Sequence, residues 1–420
     1  MIIRDCIHKD INLRKEFLPI IDCREYQRLR GIKQLGTTHL VYLTAVHTRF
    51  DHSLGCYHLS RVLLDALNDK GTKISERERL LTEAFALIHD LTHIPYGHTF
   101  EDERKIFTKH DRVERYKIYI EGTSIGETLE KLGIKEDLYS ILQGSNTEFD
   151  LCYKLVAGTI GADLLDYLKR DAVFCGLNSR YDERIYYAFE IDDNRNLFMN
   201  LEKKGFLRRD LLSEIINLLR IRYYLSERVY YHHTKIVAGA MLSKAVETVK
   251  LPLSKLAFMS DEELLFSLDK EKNKYPIKPL IEGILCRKLF KRAFVVSDCS
   301  PGILAKKNDL IEKYHKNPQC RSEDEKKIAD ELGIPQEEVV IYCPPGKMFM
   351  KEADVPIKAN NRGINTLSQI QNNELNAILD NYSRLWKFFV FIRPSELINQ
   401  DRARQVCESF FTLQSEFKPD

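Results

Sequence analysis

Over about the first 290 residues, apolar side chains return at spacings of three and four, with few β-branched alternations between them. That rhythm commits most of the chain to amphipathic helices, and the fold it predicts is mainly α. One helix start is sharply marked. Ser75 stands three residues ahead of Glu78, a capping-box spacing, and opens onto Leu80, Leu81, Ala84, Phe85, Leu87 and Ile88, so the helix runs straight into His89 and Asp90. From about Leu151 to Phe174 the rhythm turns Leu164, Leu165, Leu168 and Ala172 towards a core, and Asp163, Tyr167, Arg170 and Asp171 fall on another face. Such a polar stripe is ordinarily a solvated helix face.

Near residue 294 the rhythm stops. The stretches Ser297 to Lys307 and Lys316 to Lys327 are loop-like and rich in charge, whereas Val339-Val340-Ile341-Tyr342 and Phe388-Phe389-Val390-Phe391-Ile392 are strand-like runs closed by proline. A last amphipathic helix is expected from near Ser395, with Leu397, Ile398, Val406 and Phe410 as its apolar set. The expected division is therefore a helical core over 1–293 and a smaller α+β lobe over 294–420, large enough together to bury one or two cores.

Sixty-four Lys and Arg against sixty-two Asp and Glu leave a formal charge of +2, so no overall field draws the protein to nucleic acid or an anionic membrane. An anionic ligand must be met by a local cluster. Lys270 to Lys274 and Lys306-Lys307 are expected to be solvated loops, and no nucleic-acid partner is expected. The ten cysteines are scattered without a CxxC, which fits reduced thiols. Asp5 interrupts the start of the chain, and no run of about eighteen apolar residues occurs, so a cytoplasmic protein without a membrane partner is expected.

Four groups stand out as metal ligands: His52 in Arg49-Phe50-Asp51-His52-Ser53, the pair His89-Asp90, and Asp163. Imidazole and carboxylate together suit a first-row transition metal, alone or beside magnesium. A His-Asp dipeptide means little alone, but this one leads into Leu91-Thr92-His93-Ile94-Pro95-Tyr96-Gly97-His98-Thr99-Phe100-Glu101, with His110-Asp111 beyond. Four of the twelve histidines thus fall within a short stretch. Histidines beside Glu101 are well suited to act as general acids near neutral pH. Arg49, three residues before His52, lies where a guanidinium could bind phosphate oxygens beside a metal.

These motifs and their spacing resemble the HD-domain deoxynucleoside triphosphate triphosphohydrolases, a family that includes the vertebrate enzyme joining a sterile-alpha-motif domain to an HD domain, and bacterial relatives. Tyr26-Gln27-Arg28-Leu29-Arg30-Gly31-Ile32-Lys33-Gln34-Leu35-Gly36 is similar to the family's opening motif. Arg49 to Gly55 is similar to its first metal motif, His89 to His98 to its second, and Asp163 to Asp171 to its third. The likeness is strong over residues 1 to 240 and looser beyond, where Cys286-Arg287-Lys288-Leu289-Phe290-Lys291 carries it; no sterile-alpha-motif domain is expected ahead of the core. The resemblance implies an HD-domain helical core in which His52, His89, Asp90 and Asp163 hold a divalent metal (manganese, iron, magnesium or zinc). It implies that Arg49 contacts phosphate, that Gln34 and Leu35 border the sugar and exclude a 2′-hydroxyl, and that Tyr167 and Asp171 complete the deoxyribose end. Arg222 is the further phosphate-binding arginine on this reading. Water activated by the metal attacks the α-phosphorus, giving a deoxynucleoside and triphosphate, and His98, oriented by Glu101, protonates the departing oxygen while His93 and His110 contact phosphate or relay protons.

Asp22, Gln27 and Arg30 fall where the vertebrate enzyme binds an activating guanine nucleotide between protomers, which implies a nucleotide activator and a homo-oligomer, dimer or tetramer. The same residues can equally serve to pack the first helices. Leu164 stands in place of a phosphate-binding lysine, Thr92 in place of a glycine and Glu101 in place of an aspartate, departures that bear on phosphate grip and substrate range. Two other readings keep the same residues: a phosphodiesterase or 5′-nucleotidase acting on another nucleotide, and a non-catalytic nucleotide sensor in a defence pair.

Overall fold

The computed structural model describes every residue except 144–147, 347, 360–362, 396–398 and 419–420. Six helices position the site and are labelled α1 (Arg49–Asp69), α2 (Glu76–Ile88), α3 (Ala162–Phe174), α4 (Arg209–Leu225), α5 (His233–Val249) and α6 (Asp261–Glu271). Three of them begin with reciprocal capping boxes: Thr48 with Asp51 for α1, Ser75 with Glu78 for α2, and Ser260 with Glu263 for α6. Each box fixes where the helix starts, and hence which side chains face inwards.

Helix α1 lies between α2 and α3. Its inward residues Phe50, Leu54, Leu59, Leu63, Leu64 and Leu67 are all buried, each worth about 1.5–3 kcal/mol of transfer free energy. An N-terminal hairpin, Ile2–Asp5 against Lys9–Asn12, folds over the same helices. Helix α3 is shorter than its apolar rhythm predicts. The expected single segment from Leu151 to Phe174 is two helices, Asp150–Ala157 and α3, because the chain breaks between Gly158 and Gly161. A Cβ on Gly158 would lie 2.2 Å from the Lys154 carbonyl oxygen. The polar stripe is not solvated either: Arg170 and Asp171 are buried with Asp166, since this face of α3 looks into the protein.

The C-terminal part holds a three-stranded antiparallel sheet in the order Lys291–Ser297, Lys387–Ile392, Val339–Tyr342. Two of these strands are the expected apolar runs. The third, Lys291–Ser297, spans the expected division at 293/294. A second sheet also joins the two parts of the chain, Leu197–Asn200 pairing in parallel with Pro356–Lys358. The charged stretches expected as loops are largely helical, over Ile303–Leu310 and Pro318–Leu332. The last helix is Gln400–Phe411, which buries Ala403, Cys407 and Phe411 and leaves Val406 and Phe410 half-buried; Leu397 and Ile398 lie outside the described residues. Among the described residues no helix is long and apolar enough to cross a membrane, and all ten cysteines are unpaired.

Candidate active site

The N-terminal half of α1, the end of α2 and the start of α3 bring His52, His89, Asp90 and Asp163 together. His52 Nε2 lies 3.1 Å from Asp163 Oδ1 and 3.6 Å from Asp90 Oδ2, and His89 Nε2 lies 3.7 Å from Asp90 Oδ1. These are separations that donors about 2.1 Å from one ion would have. The other ring nitrogens are already committed: His52 Nδ1 bonds Asp166 Oδ2 at 2.7 Å, and His89 Nδ1 bonds the Ala86 carbonyl oxygen at 2.8 Å. A carboxylate or carbonyl partner only accepts, so each Nδ1 carries the proton and each Nε2 is presented to the cluster. Two imidazoles fixed in this tautomer beside two carboxylates fit a divalent metal, which would sit among His52, His89, Asp90 and Asp163.

Cys56, four residues after His52 on α1, also reaches this cluster and was not singled out by sequence reasoning. Its Sγ is 3.6 Å from His52 Nδ1 and 3.5 Å from Nε2. Equal distances place the sulfur over the ring face, away from the in-plane direction in which Nε2 offers its lone pair. Burial pushes the thiol up to about 12.

Arg49 is buried, with Nη1 donating to Asp90 Oδ2 at 2.6 Å and Nη2 to the Gln34 carbonyl oxygen at 3.3 Å. Burial alone would raise the Asp90 carboxyl, but Arg49, His93 and His89 hold it well below the usual carboxylate range. His93, His98 and His110 form a second group. His110 Nδ1 is 3.1 Å and His98 Nδ1 3.5 Å from Glu101 Oε2. Burial would raise the Glu101 carboxyl, yet His110 and His98 hold it well below its ordinary range. The three imidazoles do not make a second metal site, because the His93 and His110 rings stack with centroids 3.9 Å apart and planes 24° apart. Nearly parallel rings send their lone pairs side by side, and these cannot converge on one ion. Burial, with the charge of Arg49, pushes the His93 imidazole well below its ordinary value. His98 is the exposed member.

The remaining expected residues extend from this centre. Asp163, Tyr167 and Asp171 follow one another at four-residue steps along α3. Asp171 accepts from His47 Nε2 at 2.8 Å and from the Tyr230 hydroxyl at 2.6 Å. Gln34 donates its backbone N–H to the His47 carbonyl at 2.9 Å, which puts the Gln34-Leu35 segment beside the Asp171 end. Arg222, on α4, stands over the Tyr167 and Tyr230 rings at 5.5 Å and 5.1 Å, with Nε 3.4 Å from Glu352. Buried polar atoms without partners gather here: Gln34 Oε1, His47 Nδ1, Arg49 Nε and His93 Nδ1, while His93 Nε2 lies 3.2 Å from Asp90 Oδ1. Unsatisfied groups are few in folded proteins, and these atoms are free to bond a polar ligand or water.

The hydrogen bonds and ring contact of Gln27 and Arg30 lie outside this cluster. Arg30 donates to Gln27 at 2.8 Å and lies over the Phe50 ring, Gln27 donates to the Ile21 carbonyl, and Asp22 is exposed. Of the departures, Leu164 is buried in the core and Thr92 donates its hydroxyl to the His110 carbonyl at 2.8 Å. Several supporting residues carried no recognisable spacing. Asp166 holds His52 while accepting from His8 Nε2 at 2.7 Å and from Arg170. Arg28 donates to the Leu91 and His93 carbonyls at 2.8 Å and 2.7 Å. Glu352 comes from the C-terminal part.

Residues 49–149 match the HD domain family, and residues 203–418, about half of the chain, match the HD associated region. An uncharacterized protein of Methanocaldococcus jannaschii is 31% identical over 304 residues, which cover 70% of this chain and 60% of that one. The deoxynucleoside triphosphate triphosphohydrolase SAMHD1 of Homo sapiens is 28% identical over 281 residues, 58% of this chain and 44% of that one. The chain spans about half the length of the curated relatives it matches. A crystal structure of a hypothetical protein from Aquifex aeolicus superposes with a TM-score of 0.72 at 22% identity, covering 97% of this chain and 99% of that chain, and so shares the fold.

Proposed function

The chain belongs to the HD-domain proteins that carry an HD-associated region, and from that premise we propose that it hydrolyses deoxynucleoside triphosphates to a deoxynucleoside and triphosphate. The coarser class is a metal-dependent phosphohydrolase of the HD superfamily. The observation that carries the finer reading is the row Asp163, Tyr167, Asp171 on α3. At 1.5 Å per residue it runs about 12 Å from the metal cluster, to the end where Asp171 meets His47 and Tyr230 and Gln34 bonds His47, a span suited to an α-phosphate at one end and a sugar at the other.

On this reading Arg49 grips the phosphates next to the metal, and Arg222 takes the outer oxygens. A divalent ion held by His52, His89, Asp90 and Asp163 would supply activation of the attacking water and offset charge on the phosphoryl oxygens. As water attacks the α-phosphorus, the bond from phosphorus to O5′ breaks and O5′ takes its proton from His98. Glu101 keeps its charge beside His98 and His110 and so holds the donor imidazole in place. Gln34 and Leu35 close on the sugar where a 2′-hydroxyl would have to fit. Asp22, Gln27 and Arg30 are the proposed place of an activating nucleotide between protomers.

The metal-ligand variants test the assignment. His52→Ala and Asp163→Ala are expected to lose both manganese binding, read by calorimetry, and turnover, while Arg49→Ala keeps the metal and loses turnover of triphosphates. Retained activity in the first two removes the site from its proposed role.

A further inference from the structure

The segment Gly31–Gly36 and the turn Tyr96–Gly97 come from distant parts of the chain and meet beside Arg49. The fit is close: a Cβ on Gly97 would stand 2.9 Å from Arg49 Nη2, and one on Gly36 would stand 2.9 Å from the Tyr96 carbonyl oxygen. Tyr96 itself has φ of 61°, in the left-handed region, where a residue with a bulky side chain persists only if its surroundings hold it. Behind both pieces stands Asp261, the first residue of α6, with its side chain fully buried. Its Oδ1 accepts the Tyr96 N–H at 2.6 Å, and its Oδ2 accepts the Lys33 N–H at 3.0 Å. The start of α6 is pressed onto the first segment, where a Cβ on Gly31 would lie 2.6 Å from Ser260 Cβ. A carboxylate can accept on both arms at once, whereas an amide has a single acceptor oxygen.

We propose that Asp261 is a positioning residue of the active site, tying the segment that bears Gln34 to the turn that bears His98 so that both keep one geometry against Arg49. It touches no substrate and acts through the backbones of Lys33 and Tyr96. Its kinetic consequence rests on the functional reading above; the tie itself does not. Lys33, Arg28, Glu262 and Tyr96 are the charged or titratable groups around it. Burial raises its carboxyl to about 6, against the pull of Lys33 and the two N–H groups. A proton taken up there would turn one acceptor arm into a donor and release one of the two bonds.

The test compares Asp261→Asn with the wild-type protein by backbone hydrogen exchange over 31–37 and 94–98, manganese affinity, and steady-state turnover of a deoxynucleoside triphosphate. Losing a buried bond is expected to speed exchange about tenfold in both segments and to lower kcat/KM about tenfold, with manganese affinity unchanged. Lys33→Met, which removes the ammonium and keeps both backbone bonds, is expected to exchange like wild type. Unchanged exchange in the two segments overturns the tie, and faster exchange with intact kcat/KM overturns the positioning role. Wild-type protein without turnover counts against the proposed function, and the exchange result then decides the tie alone. Should Asp261→Asn fail to fold, the Tyr96 and Lys33 amides of the wild-type protein, which donate to Asp261, are expected to be strongly protected from hydrogen exchange; exchange of both at the rate of unprotected amides overturns the tie.

Discussion

His52 offers Nε2 to the centre because Asp166 holds Nδ1, and Asp166 is itself held by Arg170 and His8. The partner of a metal-binding imidazole sets its tautomer and orientation, and its loss typically costs about 10–100-fold in metal affinity. Asp166→Asn keeps the shape but offers one acceptor oxygen where three groups compete, so manganese affinity is expected to fall within that range while the fold persists. An unchanged affinity by calorimetry contradicts the assigned role. The first ring of residues was legible because metal chemistry restricts it to a few side-chain types at helix-compatible spacings. Its support was not: His8 and Asp166 are 158 positions apart, and His52 and Asp166 are 114 apart. Cys56 had the right spacing, four residues after His52, but the distance to both ring nitrogens that reveals its place exists only in three dimensions.

At the scale of elements, the crossing of α1 over α3 depends on Gly55. An added Cβ would fall 1.9 Å from Asp166 Oδ1 and 2.6 Å from Arg170 Nη2, so the two helices could not keep their present spacing. Gly55→Ala is expected to cost about 1–3 kcal/mol by overpacking and to weaken metal binding by displacing Asp166. Denaturant melts and calorimetry check the two effects, and a variant as stable and as metal-competent as wild type contradicts the packing argument. Helix starts could be read where a capping residue preceded apolar periodicity, as at Ser75. The helix Pro318–Leu332 escaped because its inward face carries Arg321, Asp324 and Glu325, buried as ion pairs. With charge filling the first part of its buried face, only Ile328, Ala329 and Leu332 remain as an apolar set, too short a stripe to announce the helix.

In the whole molecule, that buried charge joins the C-terminal part to the helical core. Arg104 pairs with Glu325 at 2.7 Å and Glu247 at 2.8 Å, Arg321 with Glu247 at 2.9 Å, and Lys244 with Glu325 at 2.9 Å. Burial would raise the Glu325 carboxyl, but Arg104 and Lys244 hold it down to about 2, below its ordinary 4.5. A depressed carboxyl stabilises the fold above its unfolded value and loses that contribution as pH falls from 4.5 towards 2. Glu325→Gln leaves the buried Lys244 without its carboxylate and Arg104 with Glu247 alone, and is expected to cost about 3–5 kcal/mol at neutral pH, with a shallower loss of stability in acid than wild type. Equal acid slopes for the two proteins contradict it. The mainly helical fold with a smaller mixed part was readable from the change of rhythm, but the strand Lys291–Ser297, which crosses the expected boundary, and the sheet shared between Leu197–Asn200 and Pro356–Lys358 depend on pairings between distant segments, which periodicity does not record. What this assembled site does to a nucleotide is open to direct experiment. The first test is to incubate the protein with manganese or magnesium and each deoxynucleoside triphosphate, singly and with GTP, beside the matching ribonucleotides, and to separate the products. Deoxynucleoside with intact triphosphate, and slower turnover of the ribonucleotides, is the predicted result; a nucleoside monophosphate with pyrophosphate, or no turnover by a protein that binds the metal, would contradict it.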